Sequence, residues 1–186
     1  TVRVAYMFVL TVVVGAPSLF AQTADKRPLE IADYRLWRTI EGAAISDDGR
    51  WTAWTYSKVR GDDTLAVRSL DTDARHDIPR ASDGMLSSDG AWVAYSLAPD
   101  FREIETLERD GDPVPRQAGL MNLTTGETLT WDDADTFGFS ETGSHFFVKK
   151  RQTNEDADHD GTDLILRNLT EGYQELVGSV ADLAFN

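Results

Sequence analysis

The stretch "ISDDGRWTAW", residues 45–54, joins a polar turn ending in Asp-Gly to a run of alternating aromatic and small residues. Residues 86–95 repeat the pattern closely as "LSSDGAWVAY", and a weaker third copy, "FSETGSHFFV", follows at 139–148. Glycine after Asp or Thr accepts the positive φ of a tight turn, and the alternation after it is typical of a strand. Each copy therefore predicts a β-hairpin.

A second pair of strand signals follows each hairpin, in "LAVRSLDTDARHDIP", "AGLMNLTTGETLTW" and "DLILRNLTEGYQELV". The turn glycines Gly49, Gly90 and Gly143 lie 41 and 53 residues apart. Four short strands at this period are typical of one blade, a four-stranded sheet, of a β-propeller. A sandwich of similar hairpins is the alternative. We predict an all-β fold, an incomplete propeller with blades at about 41–80, 81–132 and 133–178.

The last eight residues, "SVADLAFN" at 179–186, match the lead-in to the earlier hairpins, and Asn186 aligns with Ser46, Ser87 and Ser140. This segment predicts the start of a fourth blade. Propellers close with about four to eight blades, and fewer leave open sheet edges. We therefore expect the chain to be the N-terminal fragment of a longer protein.

The N-terminus has the pattern of a secretory signal peptide over residues 1–21. One early charge, Arg3, precedes an apolar run at 4–16, and the segment ends on the small residue Ala21. The run is short for a membrane span; an uncleaved anchor and a buried helix are the alternatives. The pattern predicts cleavage near Ala21 and a periplasmic or secreted protein, with no membrane association afterwards.

Two segments break the period-two pattern. Residues 22–40 read as a linker and a short helix, the helix running from Pro28 to Ile40 with an approximate apolar face. Within the second blade, Pro99–Gln117 is an insertion whose first half can form an amphipathic helix and whose second half is a loop rich in Pro and Gly. Such an insertion is either functional or simply tolerated.

The formal net charge of −14 makes nucleic acid an improbable partner, because an acidic chain repels phosphate backbones. The simplest interpretation of this charge is a well-solvated surface. The chain has no cysteine, which removes disulfides and thiolate metal sites. We expect no cofactor.

A weak calcium candidate lies in "DADHDG", where Asp156, Asp158 and Asp160 alternate before Gly161. Alternate carboxylates around a glycine turn suit a hard cation with oxygen ligands. The twelfth loop position is Arg167, where an EF-hand needs a bidentate Glu, and the following residues read as a strand. A solvated acidic hairpin loop is therefore the preferred interpretation.

Nucleophilic and histidine chemistry finds little support. The string "GFSETG" around Ser140 has the spacing G-x-S-x-x-G and lies in a hairpin, whereas a nucleophile elbow needs G-x-S-x-G in a strand-to-helix turn. The three histidines, His76, His145 and His159, fall in different blade units without ligand spacing. We predict no catalytic residue in this chain.

The segments "DYRLWRTIEGAAISDDGRWTAWTYS", "GDDTLAVRSLDT", "SSDGAWVAYSLAPD" and "GTDLILRNLTEG" resemble the propeller domain of secreted bacterial members of the prolyl oligopeptidase family. The resemblance covers roughly residues 28–186. The turn motif alone is less specific, since the Tol-system periplasmic propeller shares it.

The resemblance implies that the propeller precedes an α/β-hydrolase domain carrying a serine nucleophile on a G-x-S-x-G elbow. It also implies that the propeller covers the active site and restricts entry to short peptides. The partners would then be the hydrolase domain of the same full-length chain and peptide substrates, and this chain alone would be inactive. The alternative is a non-catalytic periplasmic propeller that binds protein partners.

Overall fold

The computed structural model describes residues 28–152 and 161–185. The described strands and helices fall within one compact unit, Ile31–Asn186. The predicted signal peptide at 1–21 lies outside the described residues. Within the described part, no helix is long and apolar enough to cross a bilayer.

The fold is three four-stranded antiparallel sheets, each built from strands consecutive in the chain and paired in chain order. The first sheet contains β1 (Arg38–Ile45), β2 (Trp51–Lys58), β3 (Thr64–Ser69) and β4 (Arg75–Pro79). The second contains β5 (Ala81–Leu86), β6 (Trp92–Leu97), β7 (Gln117–Asn122) and β8 (Thr128–Trp131). The third contains β9 (Ala134–Phe139), β10 (His145–Lys150), β11 (Thr162–Asn168) and β12 (Gln174–Val180). The predicted all-β partial propeller is confirmed.

Two predicted boundaries differ from the structure. The helix expected over 28–40 is a 3₁₀ helix of six residues, Ile31–Leu36, because β1 begins at Arg38 and pairs that residue with Lys58. The predicted start of a fourth blade at 179 also falls too early. Val180 still pairs with Thr162 at the end of β12, beyond a register irregularity in that pairing.

A buried serine hydroxyl organises the turn between the first two strands of each sheet. In the first sheet, Ser46 Oγ accepts from the Trp51 N–H at 3.0 Å and donates to Asp48 Oδ1 at 2.6 Å. The Gly49 N–H closes the turn on the Ser46 carbonyl at 2.8 Å. Asp48 also accepts from the Arg50 N–H and from Arg50 Nε. The side chains thus satisfy turn groups that the strands leave unpaired.

The other two sheets reproduce this turn. Ser87 Oγ accepts from the Trp92 N–H at 2.9 Å and donates to Asp89 Oδ1 at 2.6 Å. In the third sheet, Ser140 Oγ accepts from the His145 N–H at 3.1 Å, and a threonine takes the aspartate position. All three serines are buried, at 5%, 1% and 8% exposure.

The turns of neighbouring sheets lie directly against each other. A Cβ built on Gly90 would lie 2.2 Å from Asp48 Oδ2, and one on Gly143 would lie 2.9 Å from Ser88 Oγ. Ser88 Oγ donates to the Glu141 carbonyl at 3.1 Å. Gly90 and Gly143 therefore serve two purposes, since each has a positive φ and leaves room for the turn before it.

Two apolar clusters hold the sheets together. The first lies between the first and second sheets and includes Ala53, Leu65, Val67, Val93, Tyr95 and Met121. The second lies between the second and third sheets and includes Ala94, Leu120, Phe146 and Val148. Burial raises the pKa of the Tyr95 phenol, whose ring fits only because Gly119 has no side chain.

The outer face of the first sheet is apolar and exposed. Ile40 and Ile45 are 63% and 66% exposed, whereas Ala81 and Leu86, 41 residues later, pack in the cluster between the sheets. The outer face of the third sheet is partly covered by residues 181–185, where Phe185 contacts the ring of Phe147 at 5.7 Å. The outer face of the first sheet is thus apolar in the way expected of a blade that packs between two others, but no described residue covers it.

Substitution of the turn glycines by alanine distinguishes the stability cost of backbone strain from the cost of disturbing the contact between neighbouring turns. Gly49→Ala has open space around the new methyl group, and we expect the positive φ alone to cost about 1 kcal/mol. Gly90→Ala meets the same strain and also displaces the Asp48 carboxylate, so we expect about 2–4 kcal/mol. Urea unfolding of the full-length protein measures both. In an Asp48→Ala background, the cost of Gly90→Ala should fall to that of Gly49→Ala; full additivity would contradict the stacking.

The first turn should respond to acid. Hydrogen bonds from the Ser46 hydroxyl, the Arg50 N–H and the Arg50 side chain lower the pKa of Asp48 to about 2. A carboxylate with a lowered folded-state pKa stabilises the fold above its unfolded value, 3.8, and this stabilisation is lost as pH falls toward 2. Urea unfolding should therefore show that Asp48→Asn loses stability against the parent at pH 5, with the difference closing near pH 2. Asp47→Asn removes one carboxylate from the same turn and is the control for the change in net charge.

Candidate functional site

The loops at the two ends of the sheets differ in length. Because the strands alternate in direction, the serine turns lie at one end, which we call the turn end. The connections after β2, β6 and β10 lie at the other, which we call the insertion end. At the insertion end, residues 98–116 connect β6 to β7, whereas the serine turn before β6 contains only residues 87–91. Loops that vary in length while the scaffold repeats are the usual place for function.

The predicted insertion contains an α-helix, α1 (Phe101–Asp110). Asp100 caps it, since Asp100 Oδ1 accepts from the N–H groups of Arg102 and Glu103 at 3.0 Å. Gly111 ends the helix in the left-handed conformation with φ 77°. The amphipathic pattern of the first half of the insertion had indicated a helix here, and the structure adds the cap at Asp100 and the end at Gly111.

The helix is fastened to the first sheet by the loop after β2. Asp62 Oδ1 accepts from the Phe101 N–H at 2.8 Å, and Arg60 pairs with Glu105 at 2.8 Å. The Arg60 guanidinium also lies 5.8 Å from the centroid of the Phe101 ring. Since α1 belongs to the second sheet by sequence, these contacts join the two sheets at the insertion end.

Two of the cavities at the base of α1 border Arg80. One of them, about 230 Å³, is lined by Ser57, Lys58, Gly61, Asp62, Asp63, Arg80, Ser82, Ala98, Pro99, Phe101 and Ile104. The other, about 220 Å³, is lined by Arg80, Leu97, Ala98, Pro99, Glu103, Pro115 and Gln117. Arg80 borders both cavities, and it lies between β4 and β5 where the chain passes from one sheet to the next.

The crossover between sheets imposes a left-handed backbone. Arg80 has φ 60°; its N–H donates to the Asp63 carbonyl at 2.8 Å and its carbonyl accepts from the Ala98 N–H at 3.1 Å. Asp133, at the next crossover, has φ 54° and accepts from the Arg151 N–H in the same way. The conformation thus belongs to the crossover, and Arg80 adopts it despite the steric cost for a non-glycine residue.

The calcium candidate Asp156, Asp158 and Asp160 lies outside the described residues. Among the residues that are described, no group of three or more His, Asp or Glu side chains is arranged to hold a metal ion.

A serine and a histidine do meet in the third turn. Ser144 Oγ lies 2.9 Å from His145 Nδ1, and His145 Nε2 lies 3.5 Å from Asn168 Nδ2. Asn168 Oδ1 is occupied, because it accepts from the N–H groups of Thr170 and Glu171. The side-chain atom facing His145 Nε2 is therefore a donor, whereas a catalytic triad needs an acceptor to stabilise the imidazolium. This cluster is a turn network.

Two other residues considered in the sequence analysis, Ser140 and His76, have structural roles. Ser140 is buried and accepts a backbone hydrogen bond. His76 lies between two sheets, with Nε2 3.3 Å from the Leu123 carbonyl and its ring beside Trp51. His159 is not among the described residues. The cavity around Lys58 and Arg80 was not predicted, because its residues come from segments far apart in the sequence.

No family model matches the chain, and a comparison with curated proteins finds no match. Solved structures do match in fold. The β-propeller domain of the Trilobed protease from Pyrococcus furiosus has a TM-score of 0.54 at 14% identity, over 77% of this chain and 43% of that one.

Two further similar structures are peptidases. The acylaminoacyl peptidase of Pyrococcus horikoshii has a TM-score of 0.50 at 13% identity, over 78% of this chain and 26% of that one. A prolyl endopeptidase structure has a TM-score of 0.50 at 10% identity, over 80% of this chain and 24% of that one. This chain spans less than half the length of each. At these identities the likeness establishes the fold, a partial β-propeller like the propeller domains of such peptidases.

Serine substitutions in the third turn should lower stability, and we expect neither side chain to act as a nucleophile. Ser140→Ala removes a buried acceptor and should cost about 1–3 kcal/mol in urea unfolding. Ser144→Ala, which is half-buried, should cost less. If a fluorophosphonate serine-hydrolase probe labels the protein, neither substitution should change that labelling. Loss of labelling in the stable Ser144→Ala variant would make this turn catalytic after all.

Proposed function

We propose that this chain is the propeller portion of a secreted serine peptidase of the prolyl oligopeptidase family. In this proposal further blades complete the propeller, and it restricts the access of peptides to an α/β-hydrolase domain of the same full-length chain. The chemistry is acyl transfer to a serine beyond these residues, so the chain described here contributes selection of substrates and no reacting group.

The observation that carries the proposal is the agreement of two independent likenesses. Segments along residues 33–172 resemble the propeller of this family, and the folded chain is similar to the propeller domains of peptidases. The chain covers 26% of the acylaminoacyl peptidase and 24% of the prolyl endopeptidase, a share consistent with part of one domain.

The outer sheet faces also support a larger propeller. Ile40 and Ile45 on the first sheet occupy positions that are packed in the second, so another blade would bury them. On the third sheet, Lys149 Nζ donates to the Ala181 carbonyl at 2.5 Å, and Phe185 contacts Phe147. Residues 181–185 thus lie across the third sheet as the first strand of another blade would.

The proposal includes export of the protein from the cytoplasm. The charge, apolar run and small residues of 1–21 favour export and cleavage near Ala21, which would place the enzyme in the periplasm or outside the cell. The chemical partners proposed are peptide substrates and the hydrolase domain.

The test compares labelling and substrate size in the full-length protein. We expect a fluorophosphonate probe to label it, a fragment of residues 22–186 to stay unlabelled, and short peptides to be cleaved while unfolded casein is not. Labelling without discrimination between short peptides and casein would remove the gating role. If the full-length protein is not labelled and cleaves no peptide, the peptidase proposal fails and a propeller that binds protein partners takes its place.

A further inference from the structure

We infer that the cavity beside α1 that Lys58 and Arg80 line binds a carboxylate carried next to an apolar side chain, which is the chemistry of the C-terminal residue of a peptide. The inference concerns binding by the described chain itself, and it holds whether or not a hydrolase domain follows.

Two cationic residues line this cavity and have no ionic partner among the described residues. Among the described residues the ion pairs are Arg50–Asp48, Arg60–Glu105 and Arg68–Asp77. Neither the half-buried Lys58 nor Arg80 has a carboxylate within salt-bridge distance in that part of the chain. Lys58 and the exposed Arg80 both line this cavity. An ammonium and a guanidinium together are suited to hold a carboxylate, and the guanidinium can do so with two parallel hydrogen bonds.

The other charges at the cavity disfavour a ligand that carries two negative charges. Asp62 accepts from the Phe101 N–H, and Asp63 accepts from the Lys58 N–H at 3.2 Å. These two carboxylates would repel a dianion such as phosphate more strongly than a monoanion. The N-terminal N–H groups of α1 that could attract phosphate are already taken, by Asp62 and Asp100.

The uncharged part of the lining is mixed. Four residues are apolar, Ala98, Pro99, Phe101 and Ile104, and the others are Ser57, Gly61 and Ser82. A volume of about 230 Å³ is below the range of pockets for drug-sized ligands and suits one residue with its carboxylate. The cavity therefore fits a carboxylate at Lys58 and Arg80 and an aliphatic side chain against Phe101 and Ile104.

The backbone at Arg80 allows its side chain to be removed without new strain. The left-handed conformation at this crossover suits glycine, and any residue with a Cβ adds steric cost. Removing the side chain as Arg80→Gly therefore removes the guanidinium without harming the fold.

The test measures binding of N-acetyl-leucine to the full-length protein by titration calorimetry, with N-acetyl-leucinamide and an amidated peptide carrying one internal glutamate as comparisons. We expect the carboxylate form to bind and the amide to bind about ten- to a hundredfold more weakly. Preference for the internal-glutamate peptide would move the assignment to a side-chain carboxylate and overturn the C-terminal one. Equal binding of acid and amide, or no binding of either, would overturn the site.

Matched variants locate the site. Arg80→Gly should weaken binding about ten- to a hundredfold while its unfolding temperature stays equal to or above that of the parent. Asp133→Gly relieves the same strain at the next crossover and should keep parental affinity. Lys58→Met should weaken binding to a smaller extent. Unchanged affinity in a folded Arg80→Gly variant would refute the inference.

Discussion

The arrangement of the sheets depends on the packing of one turn against the next. In each sheet a buried serine hydroxyl joins the ends of two strands, and in the first two sheets an aspartate completes the turn. The turn must be compact because the following sheet places its glycine against it, as Gly90 does against Asp48. A bulkier residue there would push the sheets apart and open the apolar clusters that lie between them. The size of the residues in each turn thus also limits how closely neighbouring sheets can pack.

The same repetition explains where variation is tolerated. The turn end cannot lengthen without losing contact between neighbouring turns, whereas the insertion end carries α1 and its long connections. The helix is held against the first sheet, because Asp62 accepts a hydrogen bond from its first residue and Arg60 pairs with Glu105. The insertion that carries α1 is therefore also a brace between two sheets, and the cavity at its base lies where the brace spans their junction. Under the proposed peptidase function, this end is where the fold can be adapted without disturbing the propeller.

Sequence patterns predicted much of the fold, and the misses have physical causes. The helix predicted to reach Ile40 stops at Leu36, because strand pairing between Arg38 and Lys58 outweighs a weak helical periodicity. The serine in "GFSETG" was correctly assigned to a hairpin, since the elbow spacing was absent. The Ser144–His145 contact could not be judged from sequence, because the direction of the Asn168 amide depends on the turn around it.

By itself, the sequence determined the number of sheets, the strand order, the glycine turns and the amphipathic insertion, because each is a local pattern of backbone preference and alternating burial. Only the tertiary structure decided which residues share a cavity. Lys58, Arg80 and Phe101 are separated by more than twenty residues at each step, and they meet because the crossover and the helix come together where two sheets join. The stacking of the sheets depends on contacts between residues far apart in the sequence. The residue pattern within one strand therefore does not indicate which side chains the stacking brings together.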